Sequence, residues 1–126
     1  MPTGNERILV VDDEPLLVKI HKAQLEQYGY TVTTTTDSRD ALEKIRAHPE
    51  QFDLLVTDQT MPGLSGVDLA KEVLKIKPSM PIIMCTGHSE TVSEENALAM
   101  GIKRYVYKPI YKDELIETVR EVLDEK

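Results

Sequence analysis

The amino-acid sequence predicts a doubly wound α/β fold in which five strands alternate with five helices, (βα)5. Three observations predict this fold. Short apolar runs alternate with longer segments of helical periodicity, and this order makes parallel βαβ units the expected arrangement. The runs are apolar throughout, which indicates a sheet that is covered on both faces. The 126 residues include one Phe and no Trp, which suits a single aliphatic core.

Five segments are predicted to be strands. Four of them are short apolar runs, and the second is predicted from the β propensity of its threonines alone. Its polarity indicates an edge strand or a half-exposed strand. In chain order the predicted strands cover residues 8–11, 31–36, 54–56, 82–85 and 105–107.

The first two helices are predicted from residues at their ends. The first is expected to run from Pro15, a residue favoured in the first turn, to about Tyr28, where Gly29 terminates it. The second can be capped by Asp37 or Ser38, whose short polar side chains accept from the free N–H groups of a first turn. The apolar face of the second helix comprises Ala41, Leu42 and Ile45.

The last three helices are predicted from capping boxes and apolar stripes. Ser65 is followed three residues later by Asp68, and Thr91 by Glu94, at the two positions of a capping box. Gly101 is placed to end the fourth helix. The stripes comprise Leu69, Ala70, Val73 and Leu74 in the third helix, Ala97 and Leu98 in the fourth, and Leu115, Ile116, Val119, Val122 and Leu123 in the fifth.

Composition and charge exclude several classes of function. The chain has 22 acidic and 15 basic residues, which gives a net charge of −7. It therefore lacks the basic footprint of a nucleic-acid surface. Residues 1–6 are polar and lack the apolar core of a signal peptide. We interpret them as a tail or linker remnant that precedes one domain at residues 7–126. No apolar stretch is long enough to span a bilayer. The single cysteine, Cys85, excludes an internal disulfide and is expected to be buried. We therefore expect a cytoplasmic protein that binds neither nucleic acid nor membrane.

Reactive side chains collect at one edge of the predicted sheet. Asp12 and Asp13 close the first strand, Asp58 the third, Thr86 the fourth and Lys108 the fifth. Each therefore lies at the carboxyl end of its strand. In open α/β sheets this edge forms the ligand crevice, at the point where the strand order reverses. The sequence therefore predicts the functional site at this edge.

The types of these residues indicate phosphoryl chemistry. Three carboxylates brought together repel each other and need a cation, and an all-oxygen site suits Mg²⁺ or Mn²⁺ rather than zinc. Lys108 adds a positive charge and Thr86 a hydroxyl donor, which suit the binding of a phosphoryl group. A carboxylate can itself be the nucleophile and form an aspartyl phosphate. The alternative is structural: Asp12 and Asp13 cap the next helix, and Lys108 pairs with them.

Four motifs resemble those of response regulator receiver domains, the phosphorylation switches of two-component signal transduction. They are Ile-Leu-Val-Val-Asp-Asp-Glu ending at Glu14, Asp-Gln-Thr-Met-Pro-Gly-Leu-Ser-Gly beginning at Asp58, Thr-Gly at Thr86, and Lys-Pro at Lys108. Any one of them alone is weak, but the four in this order and spacing are highly specific. The resemblance covers the chain from about Arg7 to its C-terminus.

This resemblance implies a fold and a metal site. The fold is flavodoxin-like, with a five-stranded parallel sheet in the order 2-1-3-4-5. Asp58 would be the phosphoacceptor. The metal ligands would be Asp12, Asp13, Asp58 and the backbone carbonyl of Thr60, and the cofactor would be Mg²⁺ or Mn²⁺.

The resemblance also implies residues that respond to phosphorylation. Thr86 and Lys108 would contact the phosphoryl oxygens, and the peptide bond between Lys108 and Pro109 would be cis. Tyr105 occupies the position of the family's switch aromatic. Tyr107 lies on the same strand face by the two-residue period and is expected to pack in the ordinary way.

Partners follow from the same resemblance. The phosphoryl donor would be a histidine kinase or a histidine phosphotransfer domain. An output partner or a second copy would bind the face of the fourth helix, fifth strand and fifth helix. The loop after Asp58 and the run around Thr86 look like those of receivers in hybrid sensor histidine kinases. The domain would support its own phosphorylation and dephosphorylation as a signalling domain, not an enzyme.

Two alternative functions stay open. One is an aspartyl-phosphate phosphatase of the haloacid dehalogenase type, although such enzymes carry an Asp-x-Asp motif on the first strand, a spacing that Asp12 and Asp13 do not have. The other is a degenerate receiver that acts as a phosphate-independent binding module. The intact set of acidic residues, Thr86 and Lys108 counts against it.

The remaining polar and sulfur-containing side chains have weaker assignments. His88, two residues beyond Thr86, could orient or block an attacking water, or it could simply be solvated. His21, on a surface-like position of the first helix, and His48 are expected to be structural or inert. The methionines predicted to fill the core are Met61, Met80, Met84 and Met100.

Overall fold

The structure, a computed structural model, describes residues 3–87 and 93–125. Within these ranges five strands alternate with five α-helices, as the sequence predicts. The strands are β1 (Arg7–Val11), β2 (Thr31–Thr35), β3 (Leu54–Asp58), β4 (Ile82–Thr86) and β5 (Arg104–Tyr107). The helices are α1 (Pro15–Gln27), α2 (Ser38–Ala47), α3 (Gly66–Ile76), α4 (Glu94–Ala99) and α5 (Lys112–Asp124), and a short 3₁₀ turn (Pro49–Gln51) precedes β3. Of the helices in these ranges, none has the length and apolar character needed to cross a bilayer.

All five strands are parallel and form one sheet in the order β2-β1-β3-β4-β5. The predicted flavodoxin-like order is thereby confirmed. The chain adds β2 on one side of β1 and then crosses to add β3 on the other side. The strand order therefore reverses between β1 and β3, and the crevice of such a sheet lies there, outside the carboxyl ends of the strands.

Each face of the sheet carries its own hydrophobic core, because successive side chains of a strand point to opposite faces. Val10, Val56 and Cys85 belong to a cluster that includes buried residues of α1 and α5, the α1/α5 core. Val11 and Met84 belong to a cluster with buried residues of α2, α3 and α4, the α2/α3/α4 core. The methionines fill this second core as predicted: Met61, Met80 and Met84 are buried in it, and Met100 packs against it. Cys85 is a buried free thiol, also as predicted.

Two strands extend past the carboxyl ends of the apolar runs that predicted them. β3 continues through Thr57 and Asp58, and β4 continues to Thr86. The side chains of all three are buried. The pairing of β3 with β4 continues to Asp58, so the change to polar residues marks the functional edge and not the strand end.

The second and third helices begin at predicted caps. The Asp37 carboxylate accepts a hydrogen bond from the backbone N–H of Arg39 at 2.9 Å. The Ser65 hydroxyl accepts one from the backbone N–H of Asp68 at 3.1 Å. Each cap satisfies one of the N–H groups that a helix leaves free in its first turn.

The start of α4 corrects the sequence prediction. The described helix begins with Ser93 as its N-cap, and the Ser93 hydroxyl accepts from the backbone N–H of Asn96 at 3.1 Å. Thr91, the predicted capping residue, lies outside the described residues. Leu98, predicted to lie in the apolar stripe, is 43% exposed, because α4 is only six residues long and turns one narrow face, at Ala97, to the core.

The N-terminal residues 3–6 pack against the end of α1 and against α5. Gly29 ends α1 with a φ of 103°, and a Cβ built there would lie 2.2 Å from the carbonyl oxygen of Gly4. Both the backbone angle and the close approach therefore require glycine. Arg120 of α5 donates to the Glu6 carboxylate at 2.7 Å. The boundary predicted between residues 6 and 7 stays a prediction.

Candidate functional site

Three carboxylates meet at the crevice. Asp58 is the last residue of β3, and Asp12 and Asp13 directly follow β1. One carboxylate oxygen of each lies within 4.8 Å of the other two. Asp12 and Asp58 are buried, whereas Asp13 is exposed. The structure therefore brings together the three acidic residues that the sequence analysis selected.

The strand register explains this proximity. Val11 of β1 is paired with Thr57 of β3, so the next residues along the two chains, Asp12 and Asp58, are neighbours. Asp12 and Asp58 each lie two residues after a member of the α1/α5 core, Val10 and Val56 respectively. Because alternate residues of a strand point to the same face, both aspartates point toward the face of that core. The acidic pair is therefore placed by backbone pairing and by the two-residue period.

Lys108 joins two of the carboxylates. Its Nζ atom lies 2.9 Å from Oδ2 of Asp12 and 3.0 Å from Oδ1 of Asp58. Its backbone N–H donates to the carbonyl oxygen of Thr86 at 2.7 Å, which fixes the residue at the end of the sheet. The peptide bond between Lys108 and Pro109 is cis, as predicted.

Burial and pairing act in opposite directions on these charges. Burial raises the pKa of the Asp58 carboxyl above its ordinary value, and the negative charge of Asp12 adds to this, although Lys108 acts to lower it. Burial disfavours the charge on Lys108, but its hydrogen bonds to Asp12 and Asp58 outweigh that effect and raise the pKa of the ammonium. Lys108 is therefore charged at neutral pH, and the ionised form of Asp58 is favoured by any further cation nearby.

The donor set fits a hard divalent cation. Two of the carboxylates, those of Asp13 and Asp58, line a cleft of about 480 Å³ together with Glu14, Leu16, Leu17, Thr60, Gly87 and Lys108. Among these described residues the potential ligands are oxygen atoms, without thiolate or imidazole. Mg²⁺ and Mn²⁺ prefer such oxygen donors. Three carboxylates beside one ammonium also leave an excess of negative charge for a cation to neutralise.

The structural alternative explains only part of the arrangement. Oδ1 of Asp12 does accept a hydrogen bond from the N–H of Glu14 at 3.0 Å, and Lys108 does pair with Asp12. However, the N-cap position of α1 is Glu14, and the described residues provide no side-chain cap there. Lys108 also binds Asp58, which no capping role explains.

Thr86 and Tyr105 lie on the other face of the sheet. Thr86 is fully buried, and its Oγ1 donates to the carbonyl oxygen of Gly87 at 3.2 Å. Tyr105 packs against the α2/α3/α4 core, and its ring meets that of Tyr107 edge-on, with centroids 5.5 Å apart. Thr86 thus ends its strand beside the acidic cleft, while its side chain points to the face that carries Tyr105.

His21 is not at the surface, as its position on the first helix suggested, because this residue is only 6% exposed. Its burial is consistent with the structural role expected for it. It lines an apolar cavity of about 310 Å³ together with Leu17, Lys108, Pro109 and Ile110. Burial lowers the pKa of its imidazole. The α1 helix docks against the turn after β5, and this contact covers a position that looks like surface in the sequence.

The other two histidines have different outcomes. His48 is exposed at the end of α2, away from the acidic cleft. His88 lies outside the described residues, so its role next to the cleft stays a prediction.

Two buried polar residues contact the segment after Asp58, a role that the sequence analysis assigned to neither. The Oε1 atom of Gln59 accepts from the N–H of Val67 at 2.8 Å. The hydroxyl of Ser38 accepts from the N–H of Leu64 at 3.0 Å and donates to the carbonyl oxygen of Pro62 at 3.3 Å. Both hold the segment that follows Asp58. For Gln59 the position directly after Asp58 was an available signal, whereas Ser38 is linked to the site only by the folded chain.

Comparisons with known proteins agree with this geometry. A family described as the response regulator receiver domain matches residues 8–120. The chain is 36% identical over 119 residues to the alkaline phosphatase synthesis transcriptional regulatory protein PhoP of Bacillus subtilis, a match that covers 94% of this chain and 49% of PhoP. It is 30% identical over 118 residues to the transcriptional regulatory protein GlrR of Escherichia coli, covering 94% of this chain and 26% of GlrR. The chain therefore spans half or less of these curated relatives.

Solved structures of similar size match over nearly their whole length. A response regulator receiver domain protein from Clostridium thermocellum has a TM-score of 0.89 at 32% identity, with 94% of each chain covered. A CheY-like receiver domain protein from Methanospirillum hungatei has a TM-score of 0.88 at 33% identity, with 97% of this chain and 96% of that chain covered. The haloacid dehalogenase-type phosphatase gains no support from these matches. With its fold, its acidic crevice and these relatives, the chain belongs to the response regulator receiver domain family of two-component signalling.

Proposed function

We propose that this domain takes a phosphoryl group from a phosphohistidine donor onto Asp58, in a reaction that needs Mg²⁺ or Mn²⁺, and that its conformation then changes. The observation that supports this most directly is the ammonium of Lys108, which lies between the buried carboxylates of Asp12 and Asp58. Phosphoryl transfer depends mainly on positioning and on charge neutralisation. A fixed cation next to a buried carboxylate provides both.

Asp58 is the nucleophile in this proposal. A carboxylate oxygen of Asp58 forms a bond to phosphorus as the bond from phosphorus to the donor nitrogen breaks. The donor ring, protonated on its other nitrogen, keeps the electron pair of the broken bond and leaves as neutral imidazole. Lys108 and the hydroxyl of Thr86 then contact the phosphoryl oxygens and stabilise their charge.

The metal would be held by Asp12, Asp13, Asp58 and the backbone carbonyl of Thr60. When bound, it would neutralise charge on the carboxylates and on the incoming phosphoryl group. The exposed position of Asp13 and the placement of Thr60 on the wall of the same cleft support this assignment.

The donor histidine must reach Asp58 through the cleft. Leu16, on its wall, is 67% exposed. An exposed leucine next to an acidic pocket offers an apolar contact to a histidine kinase or a histidine phosphotransfer domain. Receiver domains of this family interact with histidine kinases and output domains, and we propose the face of α4, β5 and α5 for an output partner or a second copy.

The domain is a signalling domain by family. We propose that it supports its own phosphorylation and dephosphorylation and is not an enzyme that turns over a separate substrate. We also propose a cytoplasmic location, because its buried free thiol at Cys85 suits a reducing compartment.

Labelling by a small acyl phosphate tests this proposal. The wild-type protein, incubated with acetyl phosphate and Mg²⁺, should gain the mass of one phosphoryl group, and a chelator should prevent the gain. Asp58→Asn should gain none. Asp40→Asn, which changes an exposed aspartate paired with Lys44 on α2, should behave like the wild type. Equal labelling of Asp58→Asn would refute the assignment, and no labelling of the wild type would favour a phosphate-independent binding module.

A further inference from the structure

Gln59, the residue after Asp58, ties the start of α3 to the end of β3. Its side chain is buried, with 6% of the residue exposed. Its Oε1 atom accepts from the backbone N–H of Val67 at 2.8 Å, and its backbone carbonyl accepts from the N–H of Gly66 at 2.9 Å. Both are first-turn N–H groups, which have no partner within the helix. One residue therefore satisfies two of them.

The contact between α3 and the strand end is unusually close. A Cβ built on Gly66 would lie 2.4 Å from the carbonyl oxygen of Asp58 and 2.9 Å from Cα of Gln59. On its other side, the N–H of Gln59 donates to the carbonyl oxygen of Cys85 at 3.0 Å. The backbone at Gln59 is thus held by both β4 and α3, and residues 60–65 form a short loop with tied ends.

We infer that Gln59 is a positioning residue for the cation. Thr60 is the first residue of the tied loop, and its carbonyl is the proposed backbone ligand. The hydrogen bonds of Gln59 to Val67 and Gly66 fix the direction in which the chain leaves Asp58, and so they fix the Thr60 carbonyl. This role rests on the proposed function, in which Thr60 is a ligand, and it deepens that function by naming what orients the ligand.

Ser65 provides a matched control. It caps the same helix, because its hydroxyl accepts from the N–H of Asp68 at 3.1 Å. Its side chain has no described hydrogen bond to Asp58 or Gln59. Loss of the Ser65 cap therefore weakens the start of α3 without releasing the strand end.

The experiment compares Gln59→Met, which keeps side-chain length but removes the acceptor, with Ser65→Ala. Urea unfolding should show that both variants fold and are less stable than the wild type. Calorimetric titration with Mg²⁺ alone should show binding about tenfold weaker in Gln59→Met, the scale seen when a group that orients a metal ligand is lost. Ser65→Ala should bind Mg²⁺ like the wild type. At saturating Mg²⁺ the labelling rate of Gln59→Met should return to the wild-type value, because only the metal dependence has changed.

The outcomes separate the two proposals. Equal weakening of Mg²⁺ binding in both variants, or none in Gln59→Met, would overturn the positioning role while leaving Asp58 as phosphoacceptor. A wild-type protein that neither binds Mg²⁺ nor labels would overturn the proposed function and this role together. If Gln59→Met does not fold, Gln59→Asn replaces it. Its shorter side chain withdraws the acceptor from Val67, and the same tenfold comparison decides the question.

Discussion

The Nζ atom of Lys108 lies 3.0 Å from Oδ1 of Asp58 and 2.9 Å from Oδ2 of Asp12. One ammonium thus pairs with two buried carboxylates, which lie at the ends of different strands. A divalent cation bound by the same carboxylates competes with this ammonium for their charge. Lys108 should therefore oppose metal binding even while it promotes phosphoryl transfer, and the two effects can be measured separately.

Lys108→Met is expected to bind Mg²⁺ more tightly than the wild type, because the competing ammonium is gone. Its labelling by acetyl phosphate should be slower by about 100-fold, the usual scale for losing one group that stabilises transition-state charge. Lys112→Met is the control. Lys112 is the first residue of α5 and its ammonium lies over the ring of Tyr28, so this variant removes a lysine that does not pair with the acidic residues of the crevice. Weaker Mg²⁺ binding would contradict the competition, and an unchanged labelling rate would contradict the role in transfer.

Asp58→Asn is expected to stabilise the metal-free protein at pH 7, by on the order of 1 kcal/mol. Burial and Asp12 raise the pKa of the Asp58 carboxyl, so the folded state holds this proton more tightly than the unfolded state does. The wild type should therefore lose stability relative to the variant as the pH rises from about 4, near the unfolded pKa, through the raised folded pKa.

Urea unfolding in chelator at a series of pH values from about 4 to about 7 checks this expectation. A difference in stability that does not change with pH would contradict it. Added Mg²⁺ should stabilise the wild type more than Asp58→Asn, because the variant lacks one of the proposed ligands.

Glu6→Gln tests the contact between the N-terminal residues and α5. The hydrogen bond from Arg120 lowers the pKa of Glu6 from 4.5 to about 2. The carboxylate therefore contributes stability that is fully present above pH 4.5 and is lost as the pH falls toward 2. We expect the variant to be less stable at pH 7 by about 1 kcal/mol, since solvent screens part of the interaction.

Unfolding of Glu6→Gln as a function of pH is the measurement, and its difference from the wild type should shrink in acid. Asp124→Asn is the control, because Asp124 pairs with the same guanidinium at 2.9 Å but has a side chain that is 64% exposed. Asp124→Asn should lower the free energy of unfolding by less than Glu6→Gln does. If Asp124→Asn lowered the free energy of unfolding by as much as Glu6→Gln or by more, the contact with Glu6 would not be the stabilising one.

Thr86→Ala is expected to accept the phosphoryl group but to transmit the signal poorly. In the unphosphorylated protein the Thr86 hydroxyl donates to the carbonyl oxygen of Gly87. We expect new phosphoryl oxygens on Asp58 to offer this hydroxyl a better acceptor, and its movement to leave space that Tyr105 would fill by rotating inward. The phosphoryl group acts by its different affinity for the two states.

Amide hydrogen exchange and sedimentation of the phosphorylated and free forms measure this response. In the wild type the change should appear on the face of α4, β5 and α5, and in Thr86→Ala it should be much smaller. A response of equal size in Thr86→Ala would show that the conformational change does not depend on the Thr86 hydroxyl. The assignment of Asp58 as phosphoacceptor would be unaffected.

The sequence predicted the sheet and the acidic edge for a simple physical reason. Parallel strands in a doubly wound fold end on the same side, so polar residues placed directly after apolar runs lie at one edge of the sheet. Asp12, Asp58 and Lys108 lie at this edge for this reason, and the register of β1 with β3 then brings the two aspartates side by side.

The sequence failed where a side chain's surroundings depend on how elements dock. His21 repeats the spacing of the buried residues Val18 and Leu25 on α1, but only the docked turn at Pro109 and Ile110 shows that the position is covered. Likewise, Ser38 begins a helix far from Asp58 in the chain, and its contact with the segment after Asp58 exists only once α2 lies beside α3.

The separation of the interior into an α1/α5 core and an α2/α3/α4 core has an evolutionary consequence. Asp58 and Lys108 face the first core, whereas Thr86 and Tyr105 face the second. The effects of two substitutions on the free energy of unfolding add when the sites are roughly 10 Å or more apart, and they do not add when the residues are in contact. Residues on the outer side of one core can therefore change without compensating changes in the other core. A lineage can therefore remodel the helices that cover one face of the sheet while selection holds the acidic crevice constant.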